Sequence, residues 1–202
     1  MVANAMFELD EFRQLIRQVR AGDEGAAMRL VQRYEPLIRR EVRLRLHHPM
    51  LRRSLDSLDI TQSVLASFFL RTAGGEYDLD RPDQLVGLLI QMTRNKLASA
   101  ARKQFQLRRD VRRTEPTDIG LWNVATSDPP LLDSLANREL IVRMRAELTP
   151  EESRIADLRS EGHTWDAIAA QLGGTAQARR MQLTRALDRI SRSLGVPNLL
   201  ND

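Results

Sequence analysis

Gln177, Arg180, Met181 and Thr184 recur at spacings of three, one and three residues. At about 100° per residue this gathers them on one side of a helix, with Asp188 and Arg192 further along and Arg185 at the margin. These side chains can hydrogen-bond base edges or phosphates, and an arginine can bond a guanine through two hydrogen bonds at once. The opposite side carries Leu183, Ala186, Leu187, Ile190 and Leu194, a stripe suited to packing. A lone helix of this kind is most often an amphipathic surface helix with solvated arginines. Its context changes that reading.

The residues before it spell a short helix, a tight turn and then this longer helix. Thr164 is placed to cap Trp165–Leu172, and Thr175 to cap the helix that runs to Leu194. Gly173 and Gly174 let the backbone leave the first helix in a left-handed conformation. Ile168, Ala169 and Leu172 give the short helix an apolar side for the longer one. The whole is a helix-turn-helix, the arrangement that lays its second helix in the major groove of DNA. Arg179 falls near the middle of the apolar side, so its stem is expected to be buried and its head to reach water.

Other elements must carry and position this unit. Thr149-Pro150-Glu151-Glu152 is a capping box with proline at the first helical position, opening a helix to Ser160 that Gly162 ends. Ala136 to Leu148 reads as a helix before it, and Gly195 and Pro197 close the unit and leave a short tail. Upstream, Thr114 to Asp133 contains Pro116, Pro129, Pro130 and Gly120 and turns acidic. This reads as a linker over residues 114–134. Leu121-Trp122 within it is expected to fold back onto a domain or dock on a partner.

Residues 10–113 read as a helical domain. Asp10 is placed to cap a helix from Glu11 to Arg20, and Asp23 a second through Tyr34. Pro36 suits the first turn of a third, which carries Leu37 to Leu46 with Arg39, Arg40, Arg43 and Arg45. Pro49 breaks it, and Leu51 to Leu58 reads as a connection. Asp59 is placed to cap Ile60–Arg71, whose Ile60, Val64, Leu65, Phe68 and Phe69 form an apolar stripe. After a loop from Thr72 to Asp80, a long helix is expected from about Pro82 to Phe105, basic in its distal half through Arg94, Lys96, Arg102 and Lys103. The run continues through Arg108, Arg109, Arg112 and Arg113. Residues 135–196 form the second domain. The expected fold class is all-α, two helical domains joined by a flexible linker.

Composition excludes much else. The chain has 202 residues, 42% apolar and only 4% aromatic, with a net charge of +4; helices and a polyanionic partner fit this better than sheets. There is no cysteine, and His47, His48 and His163 lack metal-ligand spacing, so neither metal nor cofactor is expected. No phosphate-cradling loop, dinucleotide fingerprint or nucleophile set occurs, so an enzyme is not expected. No apolar run reaches about 18 residues and no signal-peptide pattern opens the chain, which suggests a cytoplasmic protein without membrane insertion.

The order of these motifs resembles the extracytoplasmic-function (ECF) sigma factors, short two-domain initiation subunits of bacterial RNA polymerase, over roughly Ala21 to Ser193. Leu58-Asp59-Ile60-Thr61-Gln62-Ser63-Val64 resembles the family's polymerase-clamp motif. Leu85 to Lys103 resembles the following helix, with Arg94-Asn95 before its DNA-facing end. Trp165 to Gly173 and Leu183-Thr184-Arg185-Ala186-Leu187 resemble the promoter-binding helix-turn-helix. Leu172-Gly173-Gly174-Thr175 with Arg179-Arg180-Met181-Gln182-Leu183 is similar to a planctomycete-type branch. Leu88 stands where the family usually has tryptophan, and Arg179 where valine is usual; Leu79 to Gln84 is not the family's commonest loop.

The resemblance implies RNA polymerase core, through the clamp of its largest subunit, and promoter DNA as partners, with an anti-sigma factor as a further candidate. It implies clamp contacts by Arg43, Asp59, Gln62 and Ser63. The non-template strand of the −10 element would meet Asp80, Arg81, Asp83, Gln84, Asn95, Lys96, Ser99 and Arg102. The −35 element would meet Thr175, Gln177, Arg180, Met181, Thr184 and Arg185. The competing reading is a free-standing helix-turn-helix regulator whose first half is a ligand or dimerisation domain.

Overall fold

The computed structural model describes residues 2–46, 56–111 and 134–200. Eight α-helices lie among them: α1 Val2–Arg20, α2 Glu24–Arg45, α3 Ser57–Ala73, α4 Pro82–Val111, α5 Ser134–Ala146, α6 Pro150–Ser160, α7 Trp165–Leu172 and α8 Ala176–Ser193. The all-α expectation holds. Pro49, Leu121, Trp122 and nearly all of the 114–134 linker lie outside the described residues, as do most of the 51–58 connection and the side chains of Arg108, Arg109, Arg112 and Arg113.

Several boundaries differ from the sequence reading. The first helix starts at Val2, because Ala, Met, Glu and Leu ahead of Asp10 favour helix; Asp10 sits mid-helix beside Arg13 at 3.5 Å. Pro36 opens no new helix but lies inside α2. An interior proline costs roughly 3 kcal/mol. Here Leu30, Tyr34, Ile38 and Val42 continue one buried stripe across it, so packing on both sides offsets the loss. Asp56, not Asp59, caps α3, accepting from the Leu58 N–H at 2.8 Å; Asp59 lies in the first turn. The long helix runs on to Val111, past Phe105, since nothing in Gln106–Asp110 breaks it. Helix α5 begins and ends two residues before the expected span.

Two apolar clusters form. The first unites α1–α4 through Ile16, Leu30, Ile38, Leu65, Phe68 and Leu89. The second gathers α5–α8 around Met144, Ile155, Ile168, Leu183 and Leu187 and also takes in Leu70 and Ala73 from the end of α3. The two units are therefore in direct contact. Arg71 is only 1% exposed and bonds Glu76 at 2.6 Å and Asp188 of α8 at 2.5 Å. Burial pushes the Glu76 carboxyl above its usual range, and Arg71 offsets this only in part. Arg159 of α6 donates to the Gly75 carbonyl at 3.0 Å and pairs with Asp78.

The capping box of α6 is present: Glu152 N–H donates to the Thr149 hydroxyl, and Thr149 N–H to the Glu152 carboxylate. That carboxylate also binds Arg189 at 2.8 Å, which is the main reason its pKa falls below the usual value. Its contribution to stability is complete above the ordinary glutamate range and is lost as pH drops through the lowered value.

Candidate nucleic-acid interface

Helix α7 and helix α8 are each capped as expected: Thr164 accepts from Ala167 N–H at 3.2 Å and Thr175 from Ala178 N–H at 3.1 Å. Gly173 and Gly174 both have φ of +80°. Gly173 has ψ of 172°, an extended mirror conformation open essentially to glycine alone, rather than the left-handed helical one expected. Ile168, Leu183, Leu187 and Ile190 seal the junction of the two helices.

Arg179 departs from expectation. Its side chain is only 14% exposed, and the head does not point into water. It donates to the Leu172 carbonyl at 2.6 Å and the Gly173 carbonyl at 2.9 Å, closing the end of α7 whose carbonyls have no helical partner. It also bonds Glu151 at 2.6 Å and Gln182 at 2.8 Å, tying α6, the turn and α8 together. The valine pattern of the family gave no sign of this; the proximity of an arginine to a helix end was the readable signal. Arg179→Ala is expected to lower stability by about 1–3 kcal/mol, the cost of leaving partly buried carbonyls unpaired. Urea unfolding checks this, and lysine should restore little because one ammonium cannot reproduce the fork.

Along the outer side of α8, Thr175, Gln177, Arg180, Met181 and Arg185 are exposed, Met181 by 38%. Thr175, Gln177, Met181 and Arg185 border a shallow groove that Arg189 and Glu152 also line, and Arg180 lies outside it. Arg180 and Arg185 make no hydrogen bond or ion pair among the described residues. Arg179, Arg189 and Arg192 on the same helix are all engaged within the protein. Thr184 is set apart: it is half-buried and lies near Glu76 of the first unit, whose ionised carboxyl its hydroxyl favours.

In the first unit the eight residues assigned to the −10 element fall into two places: the entry to α4, with Asp80 and Arg81 just before it, and a stretch further along the helix. Gln84 accepts from Asp80 and Arg81 N–H groups at 2.8 and 3.1 Å and so caps the helix start. Arg81 and Asp83 form an exposed two-bond pair at 2.9 and 2.8 Å. Asn95, Ser99 and Arg102 share a face further on, about 16 Å from Gln84 at about 1.5 Å per residue. Arg102 is exposed, while Asn95, Lys96 and Ser99 are half-buried. Asn95 donates to the Leu199 carbonyl at 2.7 Å and accepts from Gln91 at 2.8 Å.

Of the polymerase set, Arg43 on α2 and Asp59 on α3 are exposed and unpaired among the described residues, whereas Gln62 and Ser63 are half-buried. No group of three or more His, Cys, Asp or Glu that could hold a metal ion occurs among the described residues. No helix among them is long and apolar enough to cross a membrane.

A family model described as ECF sigma factor matches residues 9–194, so it spans both units and the stretch between them. No curated protein and no solved structure matches the chain.

Proposed function

The chain belongs to the ECF sigma factors, a family of transcription initiation factors that bind RNA polymerase core and promoter DNA, and from that premise we propose which of its surfaces does which task. The exposed row of α8 reads the −35 element. The observation that carries this is that Arg180 and Arg185 alone among the arginines of α8 have no partner among the described residues. Desolvating an arginine already bonded within the fold would cost its existing bonds; these two lose only water. Thr175 and Gln177 lie at the amino end of α8, where backbone N–H groups favour phosphate. Thr184, half-buried near Glu76, is set back from this row.

The Asn95–Arg102 face of α4 holds the unstacked non-template strand of the −10 element, and the Asp80–Gln84 loop shapes its edge. Extruding a base costs a few kcal/mol, so holding it after melting favours the open state. Arg43, Asp59, Gln62 and Ser63 dock the polymerase clamp. The exposure of Arg43 on α2 and of Asp59 at the start of α3 supports this, with Gln62 and Ser63 half-buried beside Asp59. The wording of the α7–α8 turn supports a place in a planctomycete-type branch, and an anti-sigma factor is a further partner by family habit.

Co-purification with core polymerase and promoter-specific run-off transcription test the reading. Absence of polymerase binding would remove it in favour of the free-standing regulator. Arg180→Ala is expected to weaken binding to a selected −35 site by about 1–3 kcal/mol while barely changing binding to unrelated duplex. An equal loss on every sequence would make Arg180 a phosphate contact only.

A further inference from the structure

The segment after α8, Val196–Leu200, read in the sequence only as a short tail, is held against the folded body. Leu199 is 1% exposed and belongs to the apolar cluster of α1–α4, not to that of α5–α8. Leu200 packs beside it. Asn198 donates to Asp188 at 2.8 Å and accepts from the Leu200 N–H at 3.2 Å, which folds the segment tightly and fixes it to the residue that Arg71 also grips. The Leu199 carbonyl receives the Asn95 amide.

That last bond lies within the face assigned to melted DNA. An asparagine reads a base by using its N–H donor and its carbonyl acceptor together. Here the donor goes to Leu199 and the acceptor to Gln91, so both halves are taken. The Leu199 carbonyl stands as a base carbonyl would, and the uncharged Val-Pro-Asn-Leu-Leu run leaves the exposed cations Arg102 and Lys103 free for a phosphate chain. We propose that Val196–Leu200 is an intramolecular occupant of the Asn95 face of α4, competing with single-stranded DNA for it; this rests on reading α4 as the −10 surface.

The whole chain and two variants, Leu199→Asp and Asn198→Ala, test it by two measurements. Hydrogen exchange over Leu89–Leu97 reports whether the segment leaves, without any DNA. Binding of a labelled, randomised single-stranded DNA 20-mer at low salt reports whether the face is then available. Both variants are expected to lose protection over Leu89–Leu97 and to bind the oligonucleotide about 10-fold more tightly, the gain if about one molecule in ten is open in the unaltered chain. Unchanged protection overturns the docking and leaves the −10 reading standing. Lost protection with unchanged affinity overturns the competition, making the segment packing alone. Should neither the unaltered chain nor the variants bind the oligonucleotide, the −10 reading fails and the competition with it. Asn198→Ala keeps the buried leucine, so a folding defect confined to Leu199→Asp does not decide the outcome.

Discussion

Arg71→Ala is expected to remove about 3–5 kcal/mol of folding stability, the usual consequence of deleting one partner from a buried ion cluster. The guanidinium is almost wholly enclosed and is the only cation bonded to Glu76 among the described residues. Without it, Glu76 and Asp188 face one another across the contact between α3 and α8 with no compensating charge. Urea unfolding at neutral pH measures the loss. Acidification supplies a second check with a definite sign. The Glu76 pKa is already raised by burial and rises further once Arg71 is gone. Because a raised carboxyl pKa favours the folded state at low pH, the deficit should shrink as pH falls through that value. A deficit that grows on acidification would show that Glu76 stays ionised and solvated, contrary to the geometry.

Gly75→Ala is expected to cost about 2–5 kcal/mol and to loosen the contact between the two units. Two penalties add. Gly75 has φ of +80°, a conformation that costs an L-residue about 1–2 kcal/mol. A Cβ built there would also stand 2.4 Å from the Arg159 Cβ, which cannot swing aside as a side-chain tip can; overpacking of this kind costs about 1–3 kcal/mol. Differential scanning calorimetry should show the lowered transition, and hydrogen exchange should show reduced protection in α6 first. Gly22 also has a positive φ but meets nothing, so Gly22→Ala bears the backbone penalty alone and is the natural control.

Local signals in the sequence were strong wherever one residue type answers one backbone need. Thr149-Pro150-Glu151-Glu152, Thr164, Thr175 and the Gly173-Gly174 pair each solve a helix end, and each does so in the structure. Boundaries shifted where packing overrode a local cue: Pro36 stays helical because a buried stripe crosses it, and Asp56 outcompetes Asp59 as cap. What could not be read was contact between distant residues. Arg71 stood only as the last residue of the expected Ile60–Arg71 helix, and its partner Asp188 lies 117 positions away. Thr184 was placed with the base-reading row by periodicity, but it is half-buried near Glu76 of the first unit. Leu199 carried no periodic signal, since a five-residue segment has too few positions to show one.

The fork of Arg179 binds the end of α7, the turn and the start of α8 to α6. Two loop-and-helix pieces therefore approach duplex as one stiff body. A reader assembled in advance has little chain entropy left to surrender on contact, so its association should lack the large heat-capacity decrement of segments that order themselves on their target. Discrimination among promoters would then rest on the fit of side-chain tips to base edges rather than on how readily the backbone can be made to conform.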